Sequence, residues 1–201
     1  IDTTSGIIHV PLDVVLVLDI SGSMSVDGDG KRADNLVKAV NKTITYLMKE
    51  DENNRVAVVA YNTKATKILP LGRYYVGSKA DYSNTNSYFS VSKSSKNDGY
   101  KKLYIGKIKN ESTNNLTDKA SKSIEVYGAT YIQDGIKQGA DILINEKTTT
   151  YTDSVSGQKV TRTPNILLLS DGCPTLGNSD YKNLPSNKKF GDGSCCGSEN
   201  T

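Results

Sequence analysis

Val14-Val15-Leu16-Val17-Leu18-Asp19-Ile20-Ser21-Gly22-Ser23 is the stretch on which the fold turns. Five apolar residues in succession leave no polar face. The strand they form is therefore buried on both sides, the habit of a central parallel strand in an α/β sheet. The Asp19 carboxylate and the Ser21 and Ser23 hydroxyls follow at alternate positions at the strand's mouth. Asp19, at the strand end, is expected to lie outside the apolar core. Hard oxygens at close quarters suit Mg²⁺, Mn²⁺ or Ca²⁺ rather than zinc. Two of the three are neutral, so a divalent ion held by them can still accept a carboxylate from outside.

Outward from this stretch the chain keeps an α/β rhythm. Ala33, Leu36, Val37, Val40, Ile44, Leu47 and Met48 fall at the i, i+3, i+4, i+7 spacing of an amphipathic helix. Val56 to Tyr61 reads as a second strand, and Lys67 to Leu71 as a short third one, antiparallel and at the sheet's edge. Ile132, Ile136, Ala140 and Leu143 mark a helix facing the sheet, and Ile166 to Leu169 a fourth, buried strand. Residues 73–127 are too long for an ordinary connection. Tyr88-Phe89-Ser90-Val91 and Lys102-Leu103-Tyr104-Ile105 flank Asp98-Gly99, which predicts a hairpin. Thr117 to Val126 reads as a short helix capped by Thr117. The Tyr, Ser and Asn content of the stretch is that of a recognition surface, so a protruding, ligand-binding arm is expected over 73–127. A second insertion, 146–164, reads as a β-hairpin around Ser156-Gly157.

Composition excludes some functions. Net charge is +3, and Lys far outnumbers Arg, which argues against nucleic acid. No apolar run approaches transmembrane length, so no membrane insertion is expected in this segment. The chain begins at Ile1 without Met or signal peptide and reads as a processed or trimmed chain from which any export signal has been removed. Cys173, Cys195 and Cys196 leave two readings open, one disulfide from Cys173 to the tail or three free thiols. His9 is the only histidine and reads as a surface residue. Asp27-Gly28-Asp29-Gly30 lacks the spacing and terminal Glu of a calcium loop and reads as a turn. The tail from Gly177 is almost devoid of apolar residues and reads as loop.

In an open α/β sheet, ligands collect outside the carboxyl ends of the strands where the strand order reverses. The first strand ends at Asp19 and the fourth at Ser170-Asp171-Gly172, while Gly128-Ala129-Thr130 opens the helix near Tyr131. If the two strands are neighbours, Asp19, Ser21, Ser23, Thr130 and Asp171 converge as two carboxylates and three hydroxyls.

These residues closely resemble the von Willebrand factor A (vWA) family and its metal-ion-dependent adhesion site. The family's D-x-S-x-S is met by Asp19, Ser21 and Ser23, its Gly-x-Thr-x₄-Gly by Gly128, Thr130 and Gly135, and its later Asp by Asp171 in Ser-Asp-Gly. Cys173-Pro174-Thr175 after that motif is similar to the tip adhesins of Gram-positive, sortase-assembled pili. The resemblance implies a doubly wound, mostly parallel vWA or Rossmann-like sheet over 1–72 and 128–201, with β-rich insertions. A complete vWA sheet has two further strands, and no apolar run follows Leu169, so the last strands are expected to be missing. It also implies Mg²⁺, or Mn²⁺ or Ca²⁺, as cofactor. The implied function is adhesion at a bacterial cell surface or pilus, with a host extracellular-matrix or cell-surface protein and other pilus subunits as partners. The alternative is a structural pilus or wall-linked subunit with a stabilising metal. An enzyme is not expected, since a hydrolase needs a base beside its metal-bound water and no His or Glu adjoins the motifs.

Overall fold

The computed structural model describes residues 10–26, 31–79, 81–82, 88–96, 99–172 and 174–176. His9, the Asp27–Gly30 turn, Asp98, the three cysteines and the tail after Leu176 lie outside them. In chain order the elements are β1 (Leu12–Asp19), α1 (Ser23–Val26), α2 (Arg32–Glu50), β2 (Arg55–Tyr61), β3 (Ala65–Gly72) and β4 (Tyr74–Tyr75). They continue with β5 (Phe89–Lys93), β6 (Lys101–Ile105), β7 (Lys109–Asn110), β8 (Ser123–Val126) and α3 (Ile132–Ile144). The last three are β9 (Thr150–Thr152), β10 (Lys159–Thr161) and β11 (Thr163–Leu169).

The main sheet runs β11-β1-β2-β3, with β1 parallel to both neighbours and β3 antiparallel at the edge. The alternation of side chains along β1 divides the core. Val14, Leu16 and Leu18 face α2, whereas Val15 and Val17 belong to the cluster on the α3 side. A helix on each face explains why every residue from Asp13 to Asp19 is buried. All seven apolar residues of α2 that the periodicity picks out are buried, among them Ile44 at 0% exposure. At about 1.5–3 kcal/mol for each large aliphatic side chain, this stripe is a main source of the helix's stability.

Three expectations need correction. Ile136 of α3 does not face the sheet but is 40% exposed. The buried positions are Gly135 and Gly139, where a Cβ would stand 2.6 Å from Tyr61 Cδ1 and 3.0 Å from Val17 Cγ2. The helix thus seats itself by its glycines, a contact that apolar periodicity does not register. Thr117 to Val126 is not a helix but a turn followed by β8, which completes a three-stranded β5-β6-β8 sheet. β11 pairs with β1 in full register, yet Ile166, Leu167 and Leu168 are 38%, 43% and 39% exposed, so this strand is half-open rather than buried.

The β5-β6-β8 sheet packs against α2. Tyr88, Phe89, Leu103, Ile105, Ile108 and Val126 share one core with Val40, Ile44 and Met48 of α2. Asn41, buried in that seam, donates to Phe89 O at 2.8 Å and accepts from Phe89 N at 2.9 Å. β9 and β10 form an antiparallel hairpin that leads into β11.

Candidate metal centre

The carboxyl end of β1 is closed by its own turn. Ile20 N donates to Tyr61 O at 2.9 Å, and Ser21 N turns back to donate to Asp19 Oδ1 at 2.9 Å. Asp and Ser favour such side-chain-supported turns. α1 then starts at Ser23. The turn brings the Ser21 and Ser23 hydroxyl oxygens within 3.2 Å of one another.

β11 supplies the other half. Its register places Leu169 opposite Leu18, so the residues that follow, Ser170 and Asp171, emerge beside Asp19. Ser170 Oγ donates to Asp19 Oδ2 at 2.7 Å, and Ser23 Oγ donates to Asp171 Oδ1 at 3.0 Å. Asp19, Ser21, Ser23 and Asp171 are thereby joined in one hydrogen-bonded chain across the β1–β11 switch of strand order. Asp19 is wholly buried, contrary to its expected place outside the core. Its carboxylate accepts from Ser21 N, from Ser170 and from Tyr61 OH, the last at 3.2 Å. Burial, and secondarily the Asp19 charge, push the Tyr61 phenol well above its ordinary pKa.

Thr130 sits on the adjoining loop. Gly22 N donates to Gly128 O at 2.9 Å, and Tyr131 N to Asn62 O at 2.8 Å. Thr130 N donates to Thr175 Oγ1 at 2.8 Å, and Thr175 N to Thr130 O at 3.0 Å. The buried Thr130 is therefore tied to the β1 turn through Gly128 and to the segment after β11. Among the described residues, no hydrogen bond joins its hydroxyl to the other four. Gly128 has φ +98°, and a Cβ there would meet Thr63 Oγ1 at 2.8 Å, so glycine is required.

Three participants were missed by sequence reasoning. Ser170 stands in the motif, but its position alone assigns it no role. Tyr61 looks like the last apolar residue of a strand. Arg32 Nη1 donates to Asp171 Oδ2 at 2.6 Å from the first turn of α2. Only the sheet register and the start of α2 bring them in, and no local spacing carries that information.

Among the described residues, no three His, Cys, Asp or Glu side chains gather to hold a metal. What the hydrogen-bonded cluster offers is two carboxylates and hydroxyls. A search of curated protein sequences finds no match. Similar solved structures include the pilus adhesin SpaC from Lactobacillus rhamnosus GG in its open conformation, at 19% identity and TM-score 0.44 over 83% of this chain and 15% of that one. The adhesive tip pilin GBS104 from Group B Streptococcus agalactiae is 20% identical, with TM-score 0.44, over 82% of this chain and 46% of that one. The pilus adhesin RrgA from Streptococcus pneumoniae is 22% identical, with TM-score 0.43, over 83% and 21%. The chain thus spans between 15% and 46% of the length of these three proteins. The family profile of the von Willebrand factor type A domain matches residues 13–186, and the chain belongs to that family.

Proposed function

We propose that Asp19, Ser21, Ser23, Thr130 and Asp171 hold a divalent cation, Mg²⁺ in the first instance, and that the domain serves adhesion. The partner is a host extracellular-matrix or cell-surface protein presenting an acidic residue, and the setting is a bacterial surface or pilus. One observation carries this reading: a hydrogen-bonded chain runs from the Asp19 carboxylate through the Ser21 backbone N–H, and on through the Ser21 and Ser23 hydroxyls, to the Asp171 carboxylate at the sheet's switch point.

The donor chemistry fits a hard cation. Asp19 Oδ2 accepts from both Tyr61 and Ser170, while among the described residues Oδ1 accepts from Ser21 N alone. Asp171 and Ser23, both half-buried, and the buried Ser21 supply the remaining oxygens. A bound divalent cation would supply a Lewis-acidic centre able to take an outside carboxylate, since two Asp charges only just neutralise it. Ser170 and Tyr61 orient Asp19, and Gly128 and Thr175 position Thr130.

Residues 73–127 and 146–164 are read as insertions in the vWA frame, with recognition assigned to the first. Tyr100, immediately before β6, supports this. Its Cε1 lies 3.4 Å from the place of a Cβ on Gly22, and its ring meets Tyr127 edge-on at 4.8 Å between centroids. The inserted sheet therefore reaches the turn that carries Ser21 and Ser23. Retention of purified matrix proteins on the immobilised domain, in Mg²⁺ and in EDTA, tests the proposal. Retention in Mg²⁺ with release in EDTA is expected, and equal retention in both would exclude a cation-bridged mechanism.

A further inference from the structure

Arg32 carries an inference about how the site is regulated, and it rests on the cation site proposed above. Arg32 opens α2, and its Nη1 lies 2.6 Å from Asp171 Oδ2, with side-chain exposures of 41% and 10%. The other oxygen of the same carboxylate accepts from Ser23 Oγ at 3.0 Å. Asp171 is thus shared between a hydroxyl of the donor set and a fixed positive charge. A short guanidinium–carboxylate contact is among the stronger hydrogen bonds, and a guanidinium does not lose its proton.

We propose that Arg32 is a resident counter-cation. It neutralises Asp171 when no metal is present and lowers the site's affinity for a divalent ion. It also raises the attraction of the loaded site for a carboxylate. The charge count gives the direction. Asp19, Asp171 and Arg32 sum to −1, so a divalent ion brings the assembly to +1; without Arg32 the same steps give −2 and 0. Arg32 therefore shifts binding strength from the ion to the partner, and a cation and an acidic partner are recruited together more readily than the cation alone. Because Arg32 is partly exposed, its charge is screened, and the effect is a change of about three- to tenfold rather than orders of magnitude.

The test compares wild type with Arg32→Gln, which keeps helix propensity and removes the charge, and with Arg32→Lys, which keeps the charge. Three quantities are read: melting temperature in EDTA, Mg²⁺ affinity by calorimetry, and acetate affinity at saturating Mg²⁺ by NMR titration. In Arg32→Gln the EDTA melting temperature falls, Mg²⁺ binds about three- to tenfold more tightly, and acetate binds more weakly by a similar factor. Arg32→Lys returns all three toward wild type, which a general folding defect would not do. Unchanged or weaker Mg²⁺ binding in Arg32→Gln, beside a normal wild-type titration, overturns this inference alone. So does acetate bound equally well without Arg32, or a Lys variant that behaves like the Gln one. No Mg²⁺ binding in wild type or Arg32→Gln overturns the cation site and the inference with it.

Discussion

Tyr61 and Asp19 stand opposite one another in the β1–β2 register, and the Tyr61 hydroxyl crosses the strand gap to donate to Asp19 Oδ2 at 3.2 Å. The same ring underlies α3 at Gly135, where even one added carbon would come within 2.6 Å of Tyr61 Cδ1. One side chain therefore couples the seating of a helix to the orientation of a candidate metal ligand. The wholly buried ring has little room to yield.

Gly135→Ala is expected to destabilise the protein, and Gly139→Ala is expected to be nearly neutral. At Gly135 the new methyl overlaps a buried ring, an overpacking cost of about 1–3 kcal/mol. The gain from replacing a helical Gly by Ala, about 1 kcal/mol, does not offset it. At Gly139 the nearest atom is Val17 Cγ2 at 3.0 Å, which a small rotation relieves, so cost and gain nearly cancel. Thermal melting of the two variants decides the matter, at about 2–4 °C per kcal/mol for a domain of this size. Equal melting temperatures would mean that Tyr61 does not support the helix as described.

Alkaline pH is expected to destabilise the fold through three tyrosines. Burial raises the pKa of Tyr61, Tyr74 and Tyr88 above the ordinary phenol value of 10.0. A group whose folded pKa is raised binds its proton more tightly in the native state. Its stabilising contribution is complete below the unfolded pKa and is lost as pH climbs from there toward the folded value. Melting temperatures should thus begin to fall above about pH 10. The tyrosinate absorbance of these three rings should appear only on unfolding. Simultaneous ionisation of all tyrosines in a protein still folded would contradict their burial.

The frame of the fold was legible because burial on both faces writes itself into a strand as an unbroken apolar run. β1 and β2 are both such runs, and the stripe of α2 is complete. Asp19, Ser21, Ser23 and Asp171 were legible because motifs at strand ends meet wherever the strands are neighbours, and β1 and β11 are. What escaped depends on contacts between distant segments. The sheet-facing side of α3 is made of glycines, which carry no hydropathy signal. β8 reads as part of a helix in the sequence because Ser123–Val126 is too short for its alternation to speak, and its pairing with β6 supplies the structure. Arg32 lies nearly 140 residues from Asp171, and nothing local in either segment announces the pair.

Asn41→Ala is expected to loosen the β5-β6-β8 sheet from α2. Asn41 satisfies both the N–H and the carbonyl of Phe89, and no water-exposed route replaces it in the seam. Removing it leaves two buried backbone groups unpaired, at about 1–3 kcal/mol each. Amide hydrogen exchange at β5 and β6 should accelerate well beyond that of β1 and β2. Uniform acceleration across the protein would show that the sheet and the α/β frame unfold only as one unit.

Asp171→Asn is expected to abolish Mg²⁺ binding while leaving the fold in place. The amide is isosteric, and its oxygen can still accept from Ser23, but the charge that attracts a cation is gone. The lost ion pair with Arg32, whose side chain is 41% exposed, costs less than about 1 kcal/mol. Asp19→Ala would be a poorer probe, because that carboxylate is wholly buried and its loss strands the Tyr61 and Ser170 donors. Melting with and without cation gives the readout. Mg²⁺ at a hundred times its dissociation constant stabilises a protein that binds it only when folded by about 2.7 kcal/mol. Wild-type melting temperature should therefore rise by several degrees on going from EDTA to Mg²⁺, while the two Asp171→Asn curves coincide. A variant stabilised by Mg²⁺ as strongly as wild type would place the cation away from the β1–β11 switch and remove Asp171 from the donor set.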